Sequence, residues 1–257
     1  MTNQHDSTDK PNIMRITNPS KNTSATGGRP PSLARMFLNF PVAVFLGVQF
    51  AHAGSPSSVL LYCPAYSRNV RTVYLEIDEN TYRSVTLSLA NVIELPSPPV
   101  EEGRITFFGP AGADGLHTIA AVADIGSIGN PLVILHPSGP EDPTAYQAVT
   151  ISADTRAFPL ASFQLVNLSP YAVRFNKDEA EVTEMQSGGS HNFQPANAAG
   201  TPFGIRVKYE IDDNWTLISS STWVARNDRR TLVCILRDAR SERMNIRSVP
   251  LRETPGR

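Results

Sequence analysis

Two cysteines and five histidines are the scarce reactive side chains of this chain, and none sits at a spacing that commits it to a reaction. Acyl transfer needs a nucleophile held against a base. Ser190 and His191 are neighbours in Gly188-Gly189-Ser190-His191, but adjacent side chains in an extended segment point to opposite faces, and the Gly-x-Ser-x-Gly elbow is missing. The segment reads as a Gly-rich turn between strands. His117 and His136 could meet if their strands pair, with Asp114 or Asp124 as a third ligand, the way three-ligand metal sites are built. His136 precedes Pro137 and reads as a strand end at the surface, so no metal and no cofactor is assigned. Cys63 and Cys234 lack the CxxC or Cys/His spacing of zinc sites. Two readings of this pair stay open. In an oxidising compartment they could form a disulfide closing a loop of about 170 residues; otherwise they are separate buried thiols, packed as small hydrophobes.

The remaining candidates are carboxylates, glycines and tryptophans. Asp212-Asp213-Asn214 lacks the alternate spacing and distal Glu of a calcium loop, and between Ile211 and Trp215 it reads as a hairpin turn. Glu101-Glu102 and Glu141-Asp142 lie in Pro-flanked, solvated loops, and Gly109, Gly112 and Gly115 lack the Lys of a phosphate cradle. Trp215 and Trp223, eight apart, would share one face under unbroken alternation. Exposed together they would suit glycan binding, whereas core packing is the ordinary fate of sandwich tryptophans.

These residues must be positioned by strands. Beyond Ala53 the apolar residues recur with period two in short runs rich in Val, Ile, Thr, Tyr and Phe, punctuated by Gly, Pro, Asn and Asp. Only Asp178–Gln186 has any helical character. The expected fold is all-β. The runs also repeat in order. Leu61-Tyr62-Cys63-Pro64-Ala65-Tyr66 corresponds to Leu165-Val166-Asn167-Leu168-Ser169-Pro170-Tyr171, and Val73-Tyr74-Leu75 to Val173-Arg174-Phe175. Arg104–Phe108 matches Ile205–Tyr209, His117–Ala123 matches Trp215–Ser221, and Asn130–Leu135 matches Arg230–Leu236. Units of about 80 residues suit two tandem, small antiparallel β-sandwiches of Ig-like type.

The N-terminus reads as an address. Residues 1–35 are polar, rich in Asn, Ser, Thr, Gly and Pro, and are expected to be a disordered extension. Residues 36–53 form an apolar run preceded by basic residues and ending in Ala51-His52-Ala53, the small-x-small pattern of a signal-peptidase site. The run is interrupted by Asn39, Pro41 and Gln49 and is short for a span of about 20 apolar residues, so no stable membrane span is expected after cleavage. The division is then 54–145 for the first module, 146–240 for the second and 241–257 for a basic C-terminal tail.

Composition narrows the partners. Charged residues make up 18% and the net charge is −1, against roughly a quarter charged for an ordinary domain; nucleic acid, which needs clustered excess cation, is excluded as the main partner. Charge is uneven, with 9 Lys+Arg against 18 Asp+Glu over 54–225 and 9 Arg against 4 acids over 226–257. Arg237, Arg240, Arg243 and Arg247 are therefore the expected partner contacts. With the leader and turns such as Asn167–Tyr171, the span from Ser58 to Asp238 resembles the uncharacterised tandem β-sandwich modules of bacterial envelope and secreted proteins. That resemblance implies a fold and a compartment and transfers no functional residue. The expected function is a non-catalytic interaction or structural protein of the periplasm or cell surface, binding an unidentified protein or envelope component. The alternatives are a secreted hydrolase of glycans or esters using His117 and His136, or a glycan binder using Trp215 and Trp223.

Overall fold

The computed structural model describes residues 56–252 apart from 69, 140, 143, 179, 180, 197, 198, 239 and 240. The expected extension and leader, residues 1–53, lie outside the described residues, as does Arg240. The described chain is all-β, with sixteen strands and no helix. The first eight are β1 (Ser58–Tyr62), β2 (Thr72–Asp78), β3 (Thr81–Thr86), β4 (Ile93–Pro96), β5 (Arg104–Ala111), β6 (His117–Asp124), β7 (Pro131–Pro137) and β8 (Tyr146–Ser152). The second eight are β9 (Phe163–Asn167), β10 (Val173–Lys177), β11 (Glu181–Met185), β12 (Ser190–Phe193), β13 (Pro202–Ile211), β14 (Asn214–Val224), β15 (Arg229–Arg237) and β16 (Met244–Arg252).

They form four four-stranded sheets, ordered β4-β1-β7-β8, β3-β2-β5-β6, β12-β9-β15-β16 and β11-β10-β13-β14. Adding eight to every strand of the first pair of sheets gives the second pair, so the two halves are tandem sandwiches of one topology. Register repeats as well. Leu61 faces Val133 across the parallel β1/β7 pair, and Leu165 faces Val233 across the parallel β9/β15 pair. Even an irregularity recurs. Ala120 is skipped between the pairs Phe107–Ala121 and Phe108–Ile119, and Ile218 between Val207–Ser219 and Lys208–Leu217. Each is one extra residue on the second strand of its hairpin, a bulge that re-aims the side chains beyond it.

Three apolar cores hold the sheets. Val73, Leu75, Ile105 and Phe107 pack against Leu61, Val133 and Leu135 inside the first sandwich. Phe175, Phe203, Ile205 and Val207 pack against Leu165, Val233 and Ile235 inside the second. The third lies between the sandwiches: Tyr62, Leu132 and Ile134 meet Val166, Leu232, Cys234, Val249 and Leu251. Strands β7 and β9 are consequently buried on both faces, residue after residue through Leu132–Leu135 and Phe163–Asn167. Such strands read as continuous apolar runs rather than alternations, which is how Leu132-Val133-Ile134-Leu135 stands in the sequence. At roughly 1.5–3 kcal/mol for each large apolar side chain fully buried, this middle layer holds the two halves against each other.

The linker between the halves belongs to that layer. Ala153 and Phe158 are fully buried in it. The Ala153 carbonyl accepts from Asn130 Nδ2 of the first half at 3.1 Å and from Arg230 Nη1 of the second at 2.7 Å. Arg230 Nη1 also donates to the Phe158 carbonyl at 2.9 Å, with its guanidinium 5.5 Å from the Phe158 ring centroid.

Three expectations about segments are corrected. Strand β8, placed at the start of the second module, pairs with β7 of the first along its whole length. Residues 241–257 are expected as a basic tail with one strand-like run, Ile246–Pro250; that run is the centre of β16, paired with β15 from Arg229–Arg252 to Arg237–Met244 and sending Val249 and Leu251 inward, so it belongs to the second sandwich. The helical character read in Asp178–Gln186 is not borne out, because β11 is an edge strand on β10 that places Met185 in the core. An edge strand with one face in solvent is polar enough to imitate a surface helix.

Candidate functional site

His117 and His136, the pair singled out for metal or acid–base chemistry, are not gathered together. His117 lies on the outer face of its sheet, its ring 4.7 Å from Tyr74 and 4.1 Å from Tyr82, with Nδ1 2.6 Å from the Gly109 carbonyl. His136 follows Leu132 and Ile134 in the alternation of β7, so it faces the middle core, away from the sheet that carries His117. It is buried, and burial lowers its pKa below the ordinary 6.5, opposed by a backbone hydrogen bond at Pro137. The expectation of a surface position for His136 is therefore corrected. Ser190 and His191 lie in β12 with their backbones paired to Val166 and Leu165. Among the described residues no group of three or more His, Cys, Asp or Glu converges as metal ligands.

Cys63 and Cys234 are both free and both buried, so no disulfide joins them in this structure. Cys63 Sγ donates to the Ala65 carbonyl at 3.1 Å. Burial pushes its thiol up to about 12, and burial raises Cys234 further still. Neither supplies a thiolate at neutral pH, the form needed for nucleophilic attack.

The two tryptophans do not share a face, because the bulge at Ile218 falls between them. Trp223 turns inward and stacks on Phe163 at 5.2 Å. Trp215 stays outside, with the Arg174 guanidinium 3.9 Å over its ring and Arg174 bridged to Glu184 at 3.1 Å. The two rings therefore do not form one exposed face. Asp212 and Asp213 occupy the β13–β14 turn with φ of 49° and 59°, the two positive values that a tight hairpin requires.

The arginines expected to contact a partner also separate. Arg237 is tied to Glu242, Nη2 to Oε1 at 3.2 Å and Nε to the backbone oxygen at 3.3 Å. The exposed Arg243 lies in the turn before β16, where its carbonyl accepts from the Asp238 amide. Arg247 alone lines a cavity. That cavity, about 490 Å³, opens at the end of the middle core, beside Leu236 near the end of β15, and is lined by the β1–β2 connection of the first sandwich and by Asn245 and Arg247 of the second. Its walls bring together Tyr66, Arg68, Arg71 and Leu89 from the first half with Leu236, Asp238, Asn245 and Arg247 from the second.

The local chemistry of this cleft is cationic. Three arginines face a single carboxylate, Asp238, whose Oδ1 already accepts from the Ser241 amide and hydroxyl at 2.8 and 3.0 Å. Arg68 Nη2 is anchored on the Asp142 and Gly139 carbonyls at 2.6 and 3.4 Å. The Arg71 guanidinium lies 5.5 Å from the Tyr66 ring centroid, and the Tyr66 hydroxyl donates to the Leu87 carbonyl at 3.1 Å. Among the described residues no carboxylate forms an ion pair with Arg71 or Arg247. Next to the cleft, burial raises the Tyr62 hydroxyl above its ordinary range, the Cys234 thiol adds to the rise, and the Arg247 charge pulls it back.

Arg68 and Arg71 were not singled out in the sequence. A signal for them exists. The connection between β1 and β2 runs over 63–71, whereas its counterpart between β9 and β10 runs over 168–172. The extra length in the first unit carries both arginines, and a residue-by-residue alignment of the two units exposes it. Comparison with protein-family models and with curated proteins finds no match for this chain.

Proposed function

We propose that this chain is an exported, non-catalytic binding protein of the periplasm or cell surface, and that the cleft between its two sandwiches takes the ligand. The apolar run at 36–53, ending in Ala51-His52-Ala53, supports export. The observation that carries the binding assignment is the cleft itself. Its volume of about 490 Å³ falls within the size of cavities that hold small ligands or a chain segment. Its walls come from both halves, and the middle core holds those halves together, so the site is preorganised and loses little to ordering on binding.

Leu89 is the residue for a steric test, being 40% exposed at the cleft wall. Fractionation of the source cell should find the chain outside the cytoplasm with its leader removed. The mature chain should co-sediment with an isolated envelope fraction, and Leu89→Trp, which narrows the cleft, should lower retention about tenfold. Equal retention of both forms, or recovery of the chain in the cytoplasm with its leader intact, overturns the reading.

A further inference from the structure

We infer that the ligand of this cleft carries an oxyanion group, phosphoryl or carboxylate, gripped by Arg71 and Arg247 from opposite walls with Arg68 behind them. The inference rests on the cleft being the binding site and adds the chemistry of what enters it.

Arg71 and Arg247 are brought together by two independent elements, the long β1–β2 connection and strand β16. Folding brings both cationic side chains to the lining of one open cavity, without a carboxylate paired to either among the described residues. Like charges so placed repel, and an anion between them removes the repulsion. Two features fix one wall in advance. Arg71 lies over the Tyr66 ring, and Tyr66 is held by its hydrogen bond to the Leu87 carbonyl. Arg68 is held on the Asp142 carbonyl at 2.6 Å. A planar guanidinium fixed in this way offers paired N–H donors to two oxygens of one group, the geometry that suits phosphate and carboxylate alike. On the other wall Asn245 contributes an amide beside Arg247. Among the described residues lining the cleft Asp238 is the one acid, and its Oδ1 accepts from the Ser241 amide and hydroxyl.

The probes are inorganic phosphate and citrate, titrated into the mature chain by calorimetry at constant ionic strength, with chloride as the control. Saturable binding of either probe is expected, and the tighter of the two identifies the group as phosphoryl or carboxylate. Arg71→Gln and Arg247→Gln should each weaken it about tenfold or more. Both side chains are exposed, so the folded state should survive, as an unchanged thermal midpoint in chloride would verify. Absence of saturable binding by both probes, or undiminished binding in both variants, overturns the inference. If the arginine variants keep full retention on the envelope fraction while Leu89→Trp loses it, the cleft is the site and its ligand is not an anion. If Leu89→Trp also keeps full retention, the binding assignment itself fails.

Discussion

The two sandwiches close the same corner in different ways. In the second, Asn167 at the end of β9 is fully buried and holds the turn from within. Its Nδ2 donates to the carbonyls of Tyr171, Met185 and Gln186 at 2.7, 3.1 and 3.1 Å, and its Oδ1 accepts from the Ser169 amide and hydroxyl at 3.1 and 2.7 Å. In the first, the same place after β1 is Cys63, whose thiol donates to the Ala65 carbonyl and lies against the Tyr146 hydroxyl. The longer connection there is held from outside, by Tyr146 of β8, which donates to the Val70 carbonyl and accepts from the Ser67 amide at 3.1 Å. The counterpart of Tyr146 in the second half is Met244, since the two residues open the equivalent strands opposite Pro137 and Arg237. Strand order and register are common to both halves, so they follow from the inward apolar residues. The polar staples are interchangeable provided that each buried carbonyl and amide finds a partner.

The sharpest way to break this comparison is to remove both residues at the shared position. Asn167→Ala strips donors from three carbonyls and the acceptor from an amide, and unsatisfied buried groups cost about 1–3 kcal/mol each; a loss of about 3 kcal/mol or more is expected in urea denaturation. Cys63→Ala removes only weak thiol contacts and should cost about 1 kcal/mol. Equal losses would show that the corner depends on shape rather than on its hydrogen bonds. A smaller asymmetry is expected at the linker, where Arg230 and Asn130 meet on the Ala153 carbonyl. Arg230→Met should cost about 2 kcal/mol because its hydrogen bonds are buried and charge-assisted, and Asn130→Ala below about 1 kcal/mol. The smallest effect concerns pH. His136 of β7 stands where β15 has Leu236, each being the residue before the last pair of its hairpin. Burial lowers the folded pKa of His136 below 6.5, so the unfolded chain takes up a proton first. Stability is then full above pH 6.5 and falls as pH drops toward the folded value, by about 1.4 kcal/mol per unit at most for one group. His136→Leu should flatten that slope; an unchanged slope would place the titration elsewhere.

Much of the architecture was legible because inward positions repeat. Val73 and Val173, or Leu135 and Ile235, occupy equivalent places that alternation and the order of turns reveal without coordinates. The middle core was not legible as such. Runs like Leu132–Leu135 announce a strand dry on both faces, but not what covers the second face, and small sandwiches are expected to have one core each. The bulge at Ile218 escaped for a related reason. A single unpaired residue leaves no mark in composition, yet it decides that Trp223 turns to the core side of its sheet and Trp215 to the outer side. At the cleft, Arg247 stood out in a cation-rich stretch, whereas Arg68 and Arg71 lie in the half where acids outnumber bases, and only the folded connection brings the three together.

The dry layer between the sandwiches also bears on what happens if the chain is cut. Severing it near Arg156, in the exposed bend of the linker, would not release two self-sufficient bodies. Each piece would present a sheet whose outer side is greasy, with Leu132 and Ile134 on one and Leu232 and Val249 on the other, and water would drive the pieces back onto each other or onto strangers. A nicked preparation should therefore travel as an intact particle until denaturant parts it.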